Sequence, residues 1–240
     1  MDKKEQEDLE RILIKYQCDL EEEKKKLEHY PVIQTGKTPK ENMNINLFPK
    51  LSTIDKDLQI SFISLIGELD CTNEMIVDFC DVWKIMRENG DLVKLYNTYY
   101  STRSVKLGSY IIADIRHYID MSIAITWYLW SGRKNSDIEI DSIGRYLSKK
   151  NNKFKEYDQF KSFMDLVNKI SNTYKHSIPN LHLSIVGRDE PCLFALASKG
   201  NKNIFHPQLL GISLSKLILE FNQYFHYSID EITKISNQCN

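Results

Sequence analysis

The sequence predicts a mainly α protein: a helical bundle with a small β-hairpin inserted before the last helix, preceded by an N-terminal amphipathic helix. Three observations carry this expectation. Apolar residues recur at intervals of three and four along most of the chain, the period of a helix face. Nine Gly and six Pro in 240 residues are too few for the turns of an all-β fold. Two short apolar runs, Leu181 to Val186 and Cys192 to Ala197, flank Gly187-Arg188-Asp189-Glu190-Pro191, which is a strand, loop, strand pattern.

Residues 2–29 are rich in Glu, Lys and Leu without Gly or Pro, and Leu9, Leu13, Tyr16, Leu20 and Leu27 form one narrow apolar stripe. Glu21, Glu22 and Glu23 precede Lys24, Lys25 and Lys26 at pairing distance along a helix. Such a helix is either a coiled-coil or partner-binding arm, or a helix folded back on its own body. Pro31 ends it, and the stretch to Lys50, with Gly36, Pro39 and Pro49, reads as a linker. Gly36-Lys37-Thr38 is not a phosphate loop, because that motif needs Gly where the chain has Pro31, and a strand where it has a helix.

Helical spacing resumes at Ser52, with Leu58, Phe62, Leu65, Ile66 and Leu69 on one face. A second helix is expected from about Thr72 to Glu88, a third from Asp91 to Thr102 and a long fourth from Val105 to Trp130. Asn89-Gly90-Asp91 separates two of these with C-cap and N-cap chemistry in succession. Ser131-Gly132-Arg133-Lys134-Asn135 is a turn. Further helices are expected at Ile140–Lys149, Tyr157–His176 and, after the hairpin, Pro207–Ile235. The chain thus divides into an N-terminal helix and linker (1–50), a helical extension (51–104) and a bundle (105–240).

Apolar residues at 42% and charged residues at 27% place the chain in the ordinary globular class. A formal net charge of -1 supplies no global field for nucleic acid, so any RNA contact must rest on a local patch. Cys18, Cys71, Cys80, Cys192 and Cys239 lack CxxC spacing and read as reduced thiols of a cytoplasmic protein. The N-terminus is charged where a signal peptide is apolar. The most apolar window, Tyr110 to Trp130, contains Asp114, Arg116, His117 and Asp120 and suits a core helix rather than a membrane span. Six histidines form neither HxxxH nor HExxH, so no metal and no cofactor is expected. Glu68 and Asp70 beside Cys71 read as solvated caps, and Trp127, Tyr128 and Trp130 as packing rather than a ligand pocket.

The richest stretch for chemistry is the end of the helix closing at His176. Lys169, Asn172 and His176 recur at intervals of three and four on one face. A near-neutral His moves protons and a cation stabilises phosphate charge, so this set suits metal-independent RNA cleavage. The same residues also suit a helix C-terminal cap, with Lys175 and His176 complementing the dipole. On the long fourth helix, Asp114, His117 and Met121 share a face, and Arg116 with Asp120 share another. Arg116 and Asp120 are either a surface ion pair or part of a cleft shared with Asn172 and His176.

On Asn172-Thr173-Tyr174-Lys175-His176-Ser177, and on Asp114-Ile115-Arg116-His117, the layout from about residue 105 to 235 resembles the HEPN superfamily of helical-bundle proteins of prokaryotic defence and toxin systems. The family's ribonuclease motif is an Arg, often followed by Asn, Asp or His, then a His after four to six residues. His176 and Asn172 match it, whereas the expected Arg falls at Lys169, Ile170 or Ser171. The resemblance implies a homodimer that binds or cleaves RNA, with His176 as acid or base, Asn172 orienting, and Lys169 or Arg116 stabilising charge. The alternative is a non-catalytic interaction protein that captures a protein partner through residues 2–29.

Overall fold

A computed structural model describes residues 28–35, 56–88, 99–132, 138–149, 153–176, 190–199 and 203–238, with Arg11, Ile14, Lys15 and Cys18 before them. Those four early positions are helical and exposed, and the apolar stripe of residues 2–29 lies outside the described residues.

Helix α1 spans Lys56–Glu88 without a break, where the sequence predicts two helices meeting near Asp70–Thr72. The polar residues that imitate a cap there are partnered across the fold instead. The Thr35 hydroxyl donates to Asp70, Thr72 Oγ1 donates to Asp114 Oδ2 at 2.9 Å, and Asn73 holds both backbone groups of Ile33. Asp70 is 8% exposed, which corrects its reading as a solvated cap.

Helix α2, Tyr99–Trp130, is the spine of the molecule and packs on α1 and on the two later long helices. At 1.5 Å per residue its 32 residues extend about 48 Å. Its start absorbs Tyr99–Thr102 from the expected third helix, whose residues 91–98 lie outside the described residues. A boundary at residue 104 therefore falls inside a continuous helix, and one hydrophobic cluster runs from Phe62 of α1 to Ile235 near the C-terminus. The helix ends at Gly132, whose φ of 72° places it in the left-handed region that closes helices, with its N–H donating to Leu129 O at 3.0 Å.

Helix α3, Ile143–Ser148, is capped by Ser142 and is shorter than expected. A 3-10 turn, Asp158–Phe160, then precedes helix α4, Lys161–His176. Tyr157 is not part of that helix; it is wholly buried, with its hydroxyl 2.6 Å from Thr126 Oγ1.

The hairpin lies before the last helix, as expected, but one segment later than its predicted strands. Strand β1, Cys192–Lys199, pairs antiparallel with β2, Asn203–Ser213, from Cys192 opposite Ser213 to Lys199 opposite Asn203. Leu181–Val186 lies outside the described residues. Of the helix expected from Pro207 to Ile235, the first seven residues, 207–213, are strand, with Leu210 and Ile212 alternating inward against exposed Leu209 and Gly211. Helix α5, Leu214–Gln238, follows directly, and Leu214 N–H donates to Pro191 O at 2.8 Å.

The centre is aromatic. Tyr118 of α2 is wholly buried among Phe221, Tyr224 and Phe225 of α5, with ring centroids 5.5, 6.5 and 5.1 Å away. Hydroxyls in this core pair with one another, Tyr118 with Ser228 at 2.8 Å and Tyr224 with Ser122 at 2.6 Å, so apolar burial is gained without orphaning these polar groups. Among the described residues no helix is long and apolar enough to cross a membrane.

Candidate functional site

Arg116 stands half-way along α2, two residues beyond the Asp114–Thr72 bond to α1, and faces α3 and α4. Its Nη1 donates to Asn172 Oδ1 at 2.5 Å and lies 3.4 Å from Ser171 Oγ, both on α4. Its Nε lies 3.5 Å from Asp120 Oδ2, one turn along the same helix. Asp120 in turn accepts from the backbone N–H of Ile143 through Oδ1 at 2.7 Å, taking up a donor that the first turn of α3 leaves free. Asn172 donates from Nδ2 to Asn168 Oδ1 at 3.2 Å. One guanidinium thus braces three helices. With Arg116 side-chain exposure at 17% and Asp120 at 24%, the pair is half-screened from water.

Burial pushes the Asp120 carboxyl above the ordinary aspartate range, and the Ile143 N–H and Arg116 hold it down in part. Asp114 is likewise raised by burial and partly offset by the Thr72 hydroxyl. His117 next to Arg116 is exposed.

The residues expected to act together separate as follows. Arg116 and Asn172 are in contact, which the sequence allows but does not require. Lys169 points into an exposed ion pair with Asp165, Nζ to Oδ2 2.6 Å, and is 58% exposed. It contributes to the helix surface rather than to the Arg116 cluster. His176 is the last residue of α4, one turn beyond Asn172, and its side chain lies outside the described residues. Ser171, Asn168 and the Asp120 to Ile143 bond are members of the cluster that sequence reasoning missed. Asn168 had a usable signal, since it stands one helical turn before Asn172. The Ile143 bond had none, because it depends on where α3 is seated.

The neighbouring turn of α4 is fixed by the hairpin. Tyr174 donates from its hydroxyl to Phe194 O of β1 at 2.8 Å, and burial pushes its phenol up to about 12. It therefore anchors the helix end as a neutral donor. Among the described residues no three His, Cys, Asp or Glu side chains converge where a metal ion would be held. Trp127 is buried in the core, and Trp130 is 41% exposed and packs on Phe154 with centroids 5.7 Å apart.

Fold and cluster together define the class: a mainly α bundle with a hairpin, in which an arginine on the spine is held by an asparagine near the end of α4. No family model, curated protein or solved structure matches this chain.

Proposed function

We propose that this is a cytoplasmic, homodimeric HEPN-like protein that binds or cleaves RNA in a prokaryotic defence or toxin setting. The observation that supports the reading is the 2.5 Å contact between Arg116 and Asn172. It brings an arginine to the Asn-x-x-x-His turn from a neighbouring helix, where the sequence of α4 itself offers only Lys169, Ile170 and Ser171.

In this reading the 2′-hydroxyl of a ribose attacks the adjacent phosphorus. The new bond is 2′-O to P, the bond broken is P to 5′-O, and the products are a 2′,3′-cyclic phosphate and a 5′-hydroxyl end. His176 takes the 2′-proton or returns one to the leaving 5′-oxygen. Two copies of His176 across a two-fold axis would supply both roles. Arg116 stabilises charge on the phosphate oxygens, and Asn172 holds the guanidinium in place. The test is cleavage of a defined RNA by the purified protein beside His176→Ala and Arg116→Met. Activity in the native protein, lost in His176→Ala, supports the reading. Equal activity in both, or none in either, removes it.

A second reading has its own observation: the Arg116 donors already meet Asp120, Asn172 and Ser171, as a purely structural brace would. The protein is then a non-catalytic platform with residues 2–29 as the arm that captures a protein partner. Deleting residues 1–30 separates the two. Oligomeric mass or partner capture changes under the platform reading, and dimerisation survives under the ribonuclease reading.

A further inference from the structure

A net charge of -1 leaves RNA binding to a local basic patch, and the structure contains one away from the Arg116 cluster. At the start of α4 a cavity of about 220 Å³ is lined by Lys149, Lys155 and Lys161, with Tyr146, Phe154 and Asp158. Three cations against one carboxylate give the lining a net positive charge. The volume is below the roughly 300 Å³ at which pockets begin to enclose whole drug-sized ligands, which suits a charged group rather than a complete molecule.

The cavity is held open by its own hydrogen bonds. Tyr146 Oη donates to Asp158 Oδ1 at 2.7 Å and accepts from Tyr157 N–H at 3.1 Å, so the aromatic wall and the carboxylate are tied together. Lys161 Nζ sits 2.9 Å from Asp158 Oδ1 and 6.0 Å from the Tyr146 ring centre. Lys149 Nζ pairs with Glu139 at 2.7 Å. Both are exposed pairs, held weakly in water, so either lysine can exchange its carboxylate for a phosphate oxygen. Lys155 forms no ion pair within 4 Å among the described residues, although its charge reaches Asp158 and helps to lower that carboxyl, so it is the least tightly held of the three cations.

Aromatic surface adjoins the cations. Phe154 lines the cavity and packs against the half-exposed Trp130. Cations beside a half-exposed indole are the elements of a single-strand platform. From Lys161 to Asn172 along α4 is about 16 Å, so a strand seated here extends to the Arg116 cluster within a few nucleotides.

We infer that Lys149, Lys155 and Lys161 form a phosphate-binding site for a nucleotide or RNA strand, with Trp130 stacking on the adjoining base. The inference deepens the RNA reading but is tested apart from cleavage. The probe is a fluorescein-tagged, fully 2′-O-methylated oligonucleotide, which lacks the attacking hydroxyl, followed by anisotropy with the full-length protein over a salt series. Inorganic phosphate and AMP are separate competitor arms.

Lys155→Gln/Lys161→Gln is expected to weaken binding at least tenfold and to flatten the log–log salt slope by about 0.7 for each phosphate no longer neutralised. Lys155→Arg/Lys161→Arg should retain both, and Trp130→Leu should weaken binding about fivefold or more. Competition by AMP with the affinity of the oligonucleotide identifies a free nucleotide as the ligand; affinity that grows with strand length identifies RNA. An unchanged affinity and slope in the Gln variant, or no binding of any probe to the native protein, overturns the site. Those outcomes leave the His176 test untouched, and a failure of the cleavage test leaves this site standing.

Discussion

Replacing Arg116 by Met keeps an unbranched apolar stem out to about the position of Nε and removes every donor of the brace between α2, α3 and α4. Asp120 then keeps only the Ile143 N–H, and Asn172 Oδ1 loses its guanidinium partner while its amide stays on Asn168. A hydrogen bond from a charged donor is worth about 1.5–3 kcal/mol. The Arg116–Asp120 pair, at 17% and 24% exposure, lies between a surface pair of about 0–1 kcal/mol and a fully buried one, whose breaking costs about 3–5 kcal/mol. The expected loss is about 3 kcal/mol, or roughly 6–12 °C in Tm for a domain of this size. Asn172→Ala is expected to cost about 2 kcal/mol, and the double variant to cost less than the sum by about 1.5 kcal/mol, because one bond is removed in both. Urea unfolding of the four proteins measures the cycle. Additivity within about 0.5 kcal/mol would show that the 2.5 Å contact carries no energy, and the brace would be refuted.

Asn73→Ala leaves the Ile33 N–H and C=O without their amide partners at 2.7 and 3.0 Å, and each orphaned group costs about 1–3 kcal/mol unless the segment detaches. Limited proteolysis should therefore cut near residues 30–35 faster than in the native protein while α1 stays resistant; equal cutting rates would contradict this. Gly211→Ala is expected to destabilise by about 1–3 kcal/mol, since a Cβ there would lie 2.9 Å from two atoms of the Phe194 ring, and a Phe194→Leu background should relieve most of the loss. Urea midpoints of the single and double variants check it, with an unrelieved loss counting against the ring contact. Asp114 has its carboxyl raised by burial, so its contribution to stability is complete below the ordinary aspartate range and is lost as pH rises through the folded-state value. Asp114→Asn should gain on the native protein between pH 4 and pH 7 in urea midpoint; a gap that stays flat or narrows would speak against a raised carboxyl.

Much of the fold was legible in the chain because helices bury one face at a fixed period. The stripe of Ile111, Ile115, Tyr118 and Ile119 announces the buried side of α2, and the polar end of α4 announces a candidate place for chemistry. The departures share one cause. Asp70, Thr72 and Asn73 have the composition of a cap but lie inside α1, and only partners on residues 33–35 and on α2 convert them from breakers to buried anchors. Pro207 and the leucines after it suit a helix start, yet β1 recruits them as a strand because pairing supplies their backbone bonds.

Local spacing set the mainly α class, the amphipathic faces and the placement of Asn172 one helical turn before His176, since each depends on residues three or four apart. Tertiary packing decided which strands form the hairpin and delivered Arg116 to Asn172 across 56 positions of chain, while Lys169 stayed outside on Asp165. Contacts of that separation depend on how α2 and α4 are seated against each other, and no period within either helix encodes it.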